Sequence, residues 1–358
     1  MATRSLELRF WGGAAFVLAV LAGTSQLGAI NYTVTKVADS GQSVVLAENP
    51  YGEIAFSTNG VMLYSDGEVH DVGPTPQYYA GPDINSSGMV VFWGWPGDTS
   101  RGGVWLYDPA AGTTNISDDP TARYPKINDS GTIVWQEQGG IWKYHNGQIG
   151  SVAPDGTDPE IGNGGHIAWV TAAHRLQITD GVSTETLPQT VVHHWKVSIN
   201  SSGQAAYAAQ EGGGYSTYLY DGTEAIRVGN GGQSCPQPKI NDGGDVLYAL
   251  EDGNDDVLVL RRESGEEVEL HRSSWSGING FDLNNLGNSV YYADYSNLTV
   301  VIGQERTYLP GSASYVNIND HNFVAWARDG VYLAVPEPAT LSLLAIGGLA
   351  LIRRRRRK

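Results

Sequence analysis

An all-β chain assembled from copies of one four-stranded unit is what this sequence predicts, and three observations carry it. A short turn phrase recurs at regular intervals. Each copy is followed by the same succession of short strands. The composition suits turns better than helices, with 46 glycines in 358 residues and only 17% charged residues.

The phrase is a strand ending in Ile-Asn, two small or polar residues, glycine, and then a β-rich apolar run. It appears as Ile84-Asn85-Ser86-Ser87-Gly88 and Ile127-Asn128-Asp129-Ser130-Gly131. It returns as Ile199-Asn200-Ser201-Ser202-Gly203 and Ile240-Asn241-Asp242-Gly243-Gly244. Degenerate copies run from Ile161 to Gly165, Leu283 to Gly287 and Ile318 to Asn322, and a weaker one ends at Gly52. The anchors at 52, 88, 131, 165, 203, 244, 287 and 322 are 36, 43, 34, 38, 41, 43 and 35 residues apart. That spacing is close to the roughly 40–45 residues of a four-stranded blade.

Residues 123–153 show one unit in full. Arg123 to Asn128 reads as a strand, and Asn128-Asp129-Ser130-Gly131 as a tight turn in which Asn and Asp side chains bond nearby backbone. Thr132 to Glu137 is a second strand, Gly139-Gly140 turns the chain into Ile141 to His145, and Asn146-Gly147 is a hairpin signal before Gln148 to Ala153. The loop through Pro154-Asp155-Gly156 crosses to the next unit.

Repetition at this period predicts a β-propeller. Blades fall at about 43–73, 79–118, 123–153, 158–188, 194–229, 235–272 and 276–311, and an eighth starts at Ala313 with only three strands. Tyr32 to Ala38 alternates apolar and polar residues and belongs to no other blade. It is expected to pair with Gly330 to Val335 and close the ring as a one-plus-three clasp. Eight blades is the reading, and seven follows if the weak copy around Ile161 or Leu283 is not a full blade. The repeat resembles the Tol-type propeller repeat over about residues 30–335, a likeness that implies a fold and no activity.

The two ends stand apart. Arg4 and Arg9 precede an apolar run from Phe10 to about Gly23, followed by Gly23, Ser25, Gly28 and Ala29. This is the pattern of a signal peptide over residues 1–29, cut between Ser25 and Ile30. The propeller then occupies 30–335. The tail, 336–358, begins with Pro336-Glu337-Pro338, continues through the apolar stretch Leu341 to Ile352, and ends in Arg353, Arg354, Arg355, Arg356, Arg357 and Lys358. The arginine cluster is a membrane-stop signal that stays on the cytoplasmic side. A helix from Ala339 to Ile352 would reach about 21 Å at 1.5 Å per residue, a short transmembrane segment against a core of roughly 30 Å.

The order of Pro-Glu-Pro, apolar segment and arginine cluster resembles the PEP-CTERM sorting signal of Gram-negative bacteria. The resemblance covers Val335 to Lys358. It implies a membrane-embedded processing enzyme, exosortase, as partner, with cleavage near the motif after a transient stay in the inner membrane. It also implies a final place at the cell surface or outside, and a link to exopolysaccharide.

Without the two ends, 14 basic residues face 36 acidic ones, a net charge near −22 against −16 for the whole chain. That balance argues against nucleic acid, which demands a basic footprint. Cys235 is alone, so no internal disulfide framework is expected.

Aromatic residues recur on second strands, namely Phe56, Trp93, Trp135, Trp169, Tyr207, Tyr248, Tyr291 and Trp326, and Trp105 and Trp142 recur on third strands. All are read as packing between blades. The acidic stretch Glu251-Asp252-Gly253-Asn254-Asp255-Asp256 sits in a predicted hairpin able to hold calcium weakly. No other cofactor is expected. The eight histidines lie at positions 70, 145, 166, 174, 193, 194, 271 and 321 without metal-ligand spacing. No nucleophile elbow is present, and the stretch Asp129 to Trp135 is a poor match to the Asp box of sialidase propellers because its Trp arrives one residue late. No catalytic residue is assigned. His193, His194, Trp195, Trp275 and Arg123 are unusual residues entering inner strands. The reading is an exported propeller that binds polysaccharide or protein. The alternatives are an envelope polysaccharide lyase or glycosidase, which would need two rim carboxylates about 5–10 Å apart, and a structural surface component.

Overall fold

The computed structural model describes residues 30–73, 81–94, 102–117, 119–191, 197–232, 237–274, 277–295 and 298–337. It contains eight four-stranded antiparallel sheets arranged as blades in a ring. Blades 1 to 7 span 42–71, 83–117, 123–153, 157–190, 197–232, 239–273 and 278–309, each meandering from an inner first strand to an outer fourth. Blade 8 takes three strands from 315–336 and its outermost strand from Tyr32–Ala38. The closing pair is Tyr32–Ala38 against Val331–Pro336, with Tyr32 opposite Pro336 and a register shift between Lys36 and Ala38. Eight blades and the one-plus-three clasp stand as the sequence predicts, with the clasp reaching one residue further, to Pro336.

Turn chemistry explains the regularity. In blade 3, Asn128 Oδ1 accepts the Thr132 N–H at 2.9 Å and the Ser130 hydroxyl at 2.7 Å. Gly131 closes the turn at φ +73°, a left-handed conformation that costs a glycine nothing. Asn322 takes the glycine's place in blade 8 at φ +59°, since asparagine is the residue that best tolerates that region.

The same asparagines fasten blade to blade. Asn85 Nδ2 donates to the Asn128 carbonyl (3.2 Å), Asn128 to Gly162 (3.3 Å), Asn200 to Asn241 (3.0 Å), Asn241 to Asn284 (3.0 Å) and Asn284 to Asn319 (2.8 Å). Asn319 then reaches the carbonyls of Ala47 and Asn49 (3.0 and 3.1 Å), and Asn49 reaches Ser86 (3.3 Å). The belt skips one junction. Blade 4 has Gly162 where the others have asparagine, because a Cβ there would stand 2.3 Å from the Asn200 carbonyl oxygen. That explains why this copy of the phrase is degenerate although the blade is complete.

Eight apolar clusters fill the eight junctions between blades. The residue four places after each turn anchor is aromatic and at most 2% exposed: Phe56, Phe92, Trp135, Trp169, Tyr207, Tyr248, Tyr291 and Trp326. Truncating one of these to alanine removes about 3–5 kcal/mol of packing. Blade 2 corrects the sequence reading: Phe92 holds this position, and Trp93, one residue later, is half-buried and points to the sheet's other face.

Candidate functional site

Strand direction gives the ring two distinct rims. First strands end, and second strands begin, at the Asn-Gly turns; this is the turn rim. The crossing loops that start each blade and the turns between second and third strands lie at the opposite, crossing rim.

A cavity of about 430 Å³ opens on the crossing rim between blades 2 and 3. Trp93 forms one wall, from the end of Val90–Gly94. Residues 120–124, where the chain enters blade 3, form the second, and Gln136, Gln138 and Gly139 form the third. Trp93 and Tyr124 meet edge to face, ring centroids 5.9 Å apart at 69°. Tyr124 has φ +56°, an unfavourable conformation for a tyrosine. It sits where the pairing of Arg123–Ile127 with Ile133–Glu137 slips between Arg123 and Lys126. The slip turns Tyr124 toward Trp93 and lays the exposed Arg123 guanidinium 5.6 Å from the tyrosine ring.

The loop before it is pinned. Asp119 accepts the Thr121 N–H (2.7 Å), the Thr121 hydroxyl (2.6 Å) and the Gln138 side-chain amide (2.5 Å). The Gln138 and Thr121 bonds hold the Asp119 carboxyl below the usual carboxylate range. The Gln138 N–H donates to the Thr121 hydroxyl at 2.9 Å. Gln136 differs: its residue is 4% exposed, and its side-chain oxygen has no hydrogen-bond partner. A buried acceptor left bare costs about 1–3 kcal/mol, and this one lies in the cavity wall. Among its described lining residues the cavity has no carboxylate, and Arg123 is its charged member.

The central channel is polar in a different way. The residue before the phrase's isoleucine or leucine faces it from each inner strand: Asp83, Lys126, Glu160, Ser198, Lys239, Asp282 and Asn317 in blades 2 to 8. Lys126 pairs with Glu160 at 3.4 Å and Lys239 with Asp282 at 3.5 Å. Asp83 accepts the Ile127 N–H and Asp282 the Ile318 N–H, at 2.9 and 3.1 Å. Enclosure pushes the Asp83 and Glu160 carboxyls up, while the Glu160 charge raises the Lys126 ammonium. Each charge meets a neighbouring blade, so this ladder fastens the ring from within. At the turn rim, Glu48, Asp129, Asp242 and Asp320 ring the channel mouth, each accepting or donating across a blade junction.

Other residues singled out in the sequence fall as follows. Pro336 is the last residue of Val331–Pro336, and the Glu337 N–H donates to the Asn31 carbonyl at 2.8 Å. Pro338, the arginine cluster 353–357, the apolar tail, Cys235, His193, His194, Trp195 and Trp275 lie outside the described residues. Residues 251–256 do form a hairpin, with Asp252 opposite Asp255. Its anionic end is already met by Arg272, whose guanidinium lies 2.8 Å from Asp252, 3.4 Å from Asp255 and 2.8 Å from Glu269. Among the described residues no three His, Cys, Asp or Glu side chains are grouped to hold a metal ion, and no helix is long and apolar enough to cross a membrane. The sequence reading missed Tyr124 and Gln136. The available signal was Trp93's offset, five residues after its glycine where every other blade has four.

Residues 334–357 match the PEP-CTERM protein-sorting motif. It marks the chain for export and for exosortase, a membrane enzyme, with sorting toward the cell envelope or surface. No curated protein matches. Among solved structures the chain is similar to the Dos1 propeller (TM-score 0.61, 10% identity, covering 86% of this chain and 95% of that one). It is similar to the β-propeller domain of the Trilobed protease from Pyrococcus furiosus (0.51, 12%, 78% and 98%) and to streptogramin B lyase (0.50, 11%, 86% and 98%). At these identities the likeness is one of fold. The chain is an eight-bladed β-propeller that ends in a PEP-CTERM sorting motif.

Proposed function

We propose that this propeller is displayed outside the cell and binds a polysaccharide, an acidic one, in the cavity between blades 2 and 3. The observation that carries this is the pairing of the out-of-register Trp93 with Tyr124 beside the bare Gln136 oxygen. Aromatic faces and edges suit the apolar faces of sugar rings. A buried acceptor without a partner suits a sugar hydroxyl. Arg123, an exposed cation on a chain of net charge −16, suits the carboxylate of a uronic acid. The lining supports binding over hydrolysis, since glycoside hydrolysis needs a carboxyl pair flanking the bond.

The test is a glycan array that includes uronic-acid and neutral polysaccharides, probed with the soluble propeller, Trp93→Ala and Arg123→Ala. Saturable binding that Trp93→Ala weakens about tenfold or more, equivalent to 1.4 kcal/mol, is expected. Arg123→Ala should abolish the preference for acidic over neutral chains. Equal binding by wild type and Trp93→Ala would remove the cavity from consideration. Product release in the same wells would favour the lyase or glycosidase reading, and self-association without glycan binding would favour a structural component.

A further inference from the structure

We propose that Asp119 is the positioning residue of the cavity between blades 2 and 3: it fixes the loop that carries Tyr124 to Trp93, so the site is formed before any ligand arrives. The inference rests on the proposed binding site and adds how that site is kept in shape.

Tyr124 owes its conformation to the backbone, not to its aromatic contact. Its left-handed φ of +56° accompanies a register slip at the start of the inner strand, and the same slip stands in blades 1 and 4. There Ser43 and Asp158, neither of them aromatic, take φ +49° and +51°. In blade 3 the slip is also locked by Pro125, which follows Tyr124 in the strand Arg123–Ile127. Proline has no N–H with which to restore a regular ladder, and it disfavours a right-handed helical turn at the residue before it. Left-handed backbone is costly for a tyrosine, and such outliers persist only where their surroundings over-determine them.

Asp119 supplies those surroundings. Its carboxylate, the Thr121 hydroxyl and Gln138 close a ring of hydrogen bonds. One carboxylate oxygen accepts the Thr121 O–H, the other accepts the Gln138 side-chain N–H, and the Gln138 backbone N–H donates to the Thr121 hydroxyl. The Asp119 carbonyl also accepts the Ala122 N–H at 3.0 Å, and Ala122 is buried in the cluster between blades 2 and 3. The ring ties the wall made by residues 120–124 to the wall made by Gln136, Gln138 and Gly139. Asp119 itself is not among the described lining residues. Its carboxylate thus braces the cavity while Arg123 remains the charge in the lining.

The experiment uses the full chain, purified in detergent. Trypsin cleavage after Arg123, identified by mass spectrometry, reports on the loop, because a protease needs locally opened backbone. Asp119→Ala should be cut there about tenfold faster than wild type, as the loss of its bonds implies. Asp119→Asn should be cut at close to the wild-type rate, since Gln138 can turn its amide oxygen toward the new N–H. An alanine variant cut no faster than wild type, or an asparagine variant cut as fast as alanine, would overturn the proposal. Melting of two truncations tests the backbone without a protease. Tyr124→Gly should melt above Tyr124→Ala, because alanine is strained at positive φ and glycine is not. The reverse order would remove the strained conformation and the proposal with it. Binding of a uronic-acid polysaccharide should be about tenfold weaker in Asp119→Ala and unchanged in Asp119→Asn. Equal binding by wild type and Asp119→Ala would deny Asp119 its positioning role. If wild type binds no glycan, the binding reading falls, while the cleavage rates and the melting order still decide whether Asp119 shapes the cavity.

Discussion

Asn319 is the bond between the last blade and the first, and its truncation should open the ring. It is fully buried. Its amide donates to the Ala47 and Asn49 carbonyls, 272 and 270 residues away in sequence, and its oxygen accepts the N–H groups of His321 and Phe323, both at 3.0 Å. Asn319→Ala deletes all four bonds and strands their partners in a closed junction. At about 1 kcal/mol per bond, and more where a buried partner is left bare, the loss is about 3–5 kcal/mol. Asn319→Asp is the sharper variant. It keeps the two acceptor bonds but turns a carboxylate toward two carbonyls, next to Asp320. Protonating the introduced carboxyl at low pH gives it an O–H that can donate to one of those carbonyls, so the penalty should be smaller near pH 4 than near pH 8. Denaturant unfolding of the propeller at both pH values measures this as a shift in midpoint at constant slope. A cost below about 1 kcal/mol for alanine, or an aspartate penalty independent of pH, would refute the view that the asparagine belt holds the ring.

Two further outcomes are expected. Gly164→Ala would bring a Cβ to 1.9 Å from the Ser201 carbonyl oxygen, whereas one added at Gly150 meets nothing within 4 Å. The first should lower the melting temperature by an amount matching about 1–3 kcal/mol of overpacking, and equal melting of the two variants would show that blades 4 and 5 are not in close contact there. Glu48 touches water at the channel mouth but is raised from 4.5 to about 8 by desolvation and by the charges of Asp320, Asp282 and Asp129, against a lowering bond from the Asp320 N–H. The folded chain therefore keeps a proton that the unfolded chain has released, so stability should fall as pH rises from about 4.5 to about 8. Glu48→Gln should remove part of that fall. The sign is the test, because water at the mouth screens its size, and an unchanged slope in the variant would count against a raised Glu48.

Blade number, blade limits and the clasp were legible because the repeating phrase carries its own turn chemistry. Ile-Asn-x-x-Gly fixes the register of a first and second strand by local bonds, as in Asn128 with Thr132, and local bonds can be read from local sequence. The weak copy at Ile161 was harder for a reason outside the copy. Gly162 is set by the Asn200 carbonyl of the next blade, and nothing within residues 161–165 records it. The pocket was obscured by a single residue: counted from its glycine, Phe92 is the fully buried aromatic and Trp93 the half-buried one beside it, packed at its edge and open to the cavity. Tyr124 and Gln136 gave no signal, since their placement depends on a register slip between two strands. The channel ladder was within reach, because aligning the phrases puts Asp83, Lys126, Glu160, Lys239 and Asp282 in one column with alternating sign.

The clasp also decides which rim is free. In a four-stranded antiparallel blade, first and third strands run toward the turn rim, and second and fourth strands run away from it. A chain ending on a complete fourth strand would leave at the crossing rim, the rim on which the Trp93–Tyr124 cavity opens. Here the last strand, Val331–Pro336, is a third strand, and the fourth is supplied by Tyr32–Ala38 from the other end of the chain. Both ends therefore meet the body at the turn rim, where Tyr32 bonds to Asn322 and Glu337 to Asn31. The acidic mouth formed by Glu48, Asp129, Asp242 and Asp320 is on that same side. The last described residue, Glu337, thus lies on the side of the mouth, and the cavity opens on the opposite rim. Borrowing one strand from the N-terminal side thus closes the ring and places the end of Val331–Pro336 on the rim opposite the cavity.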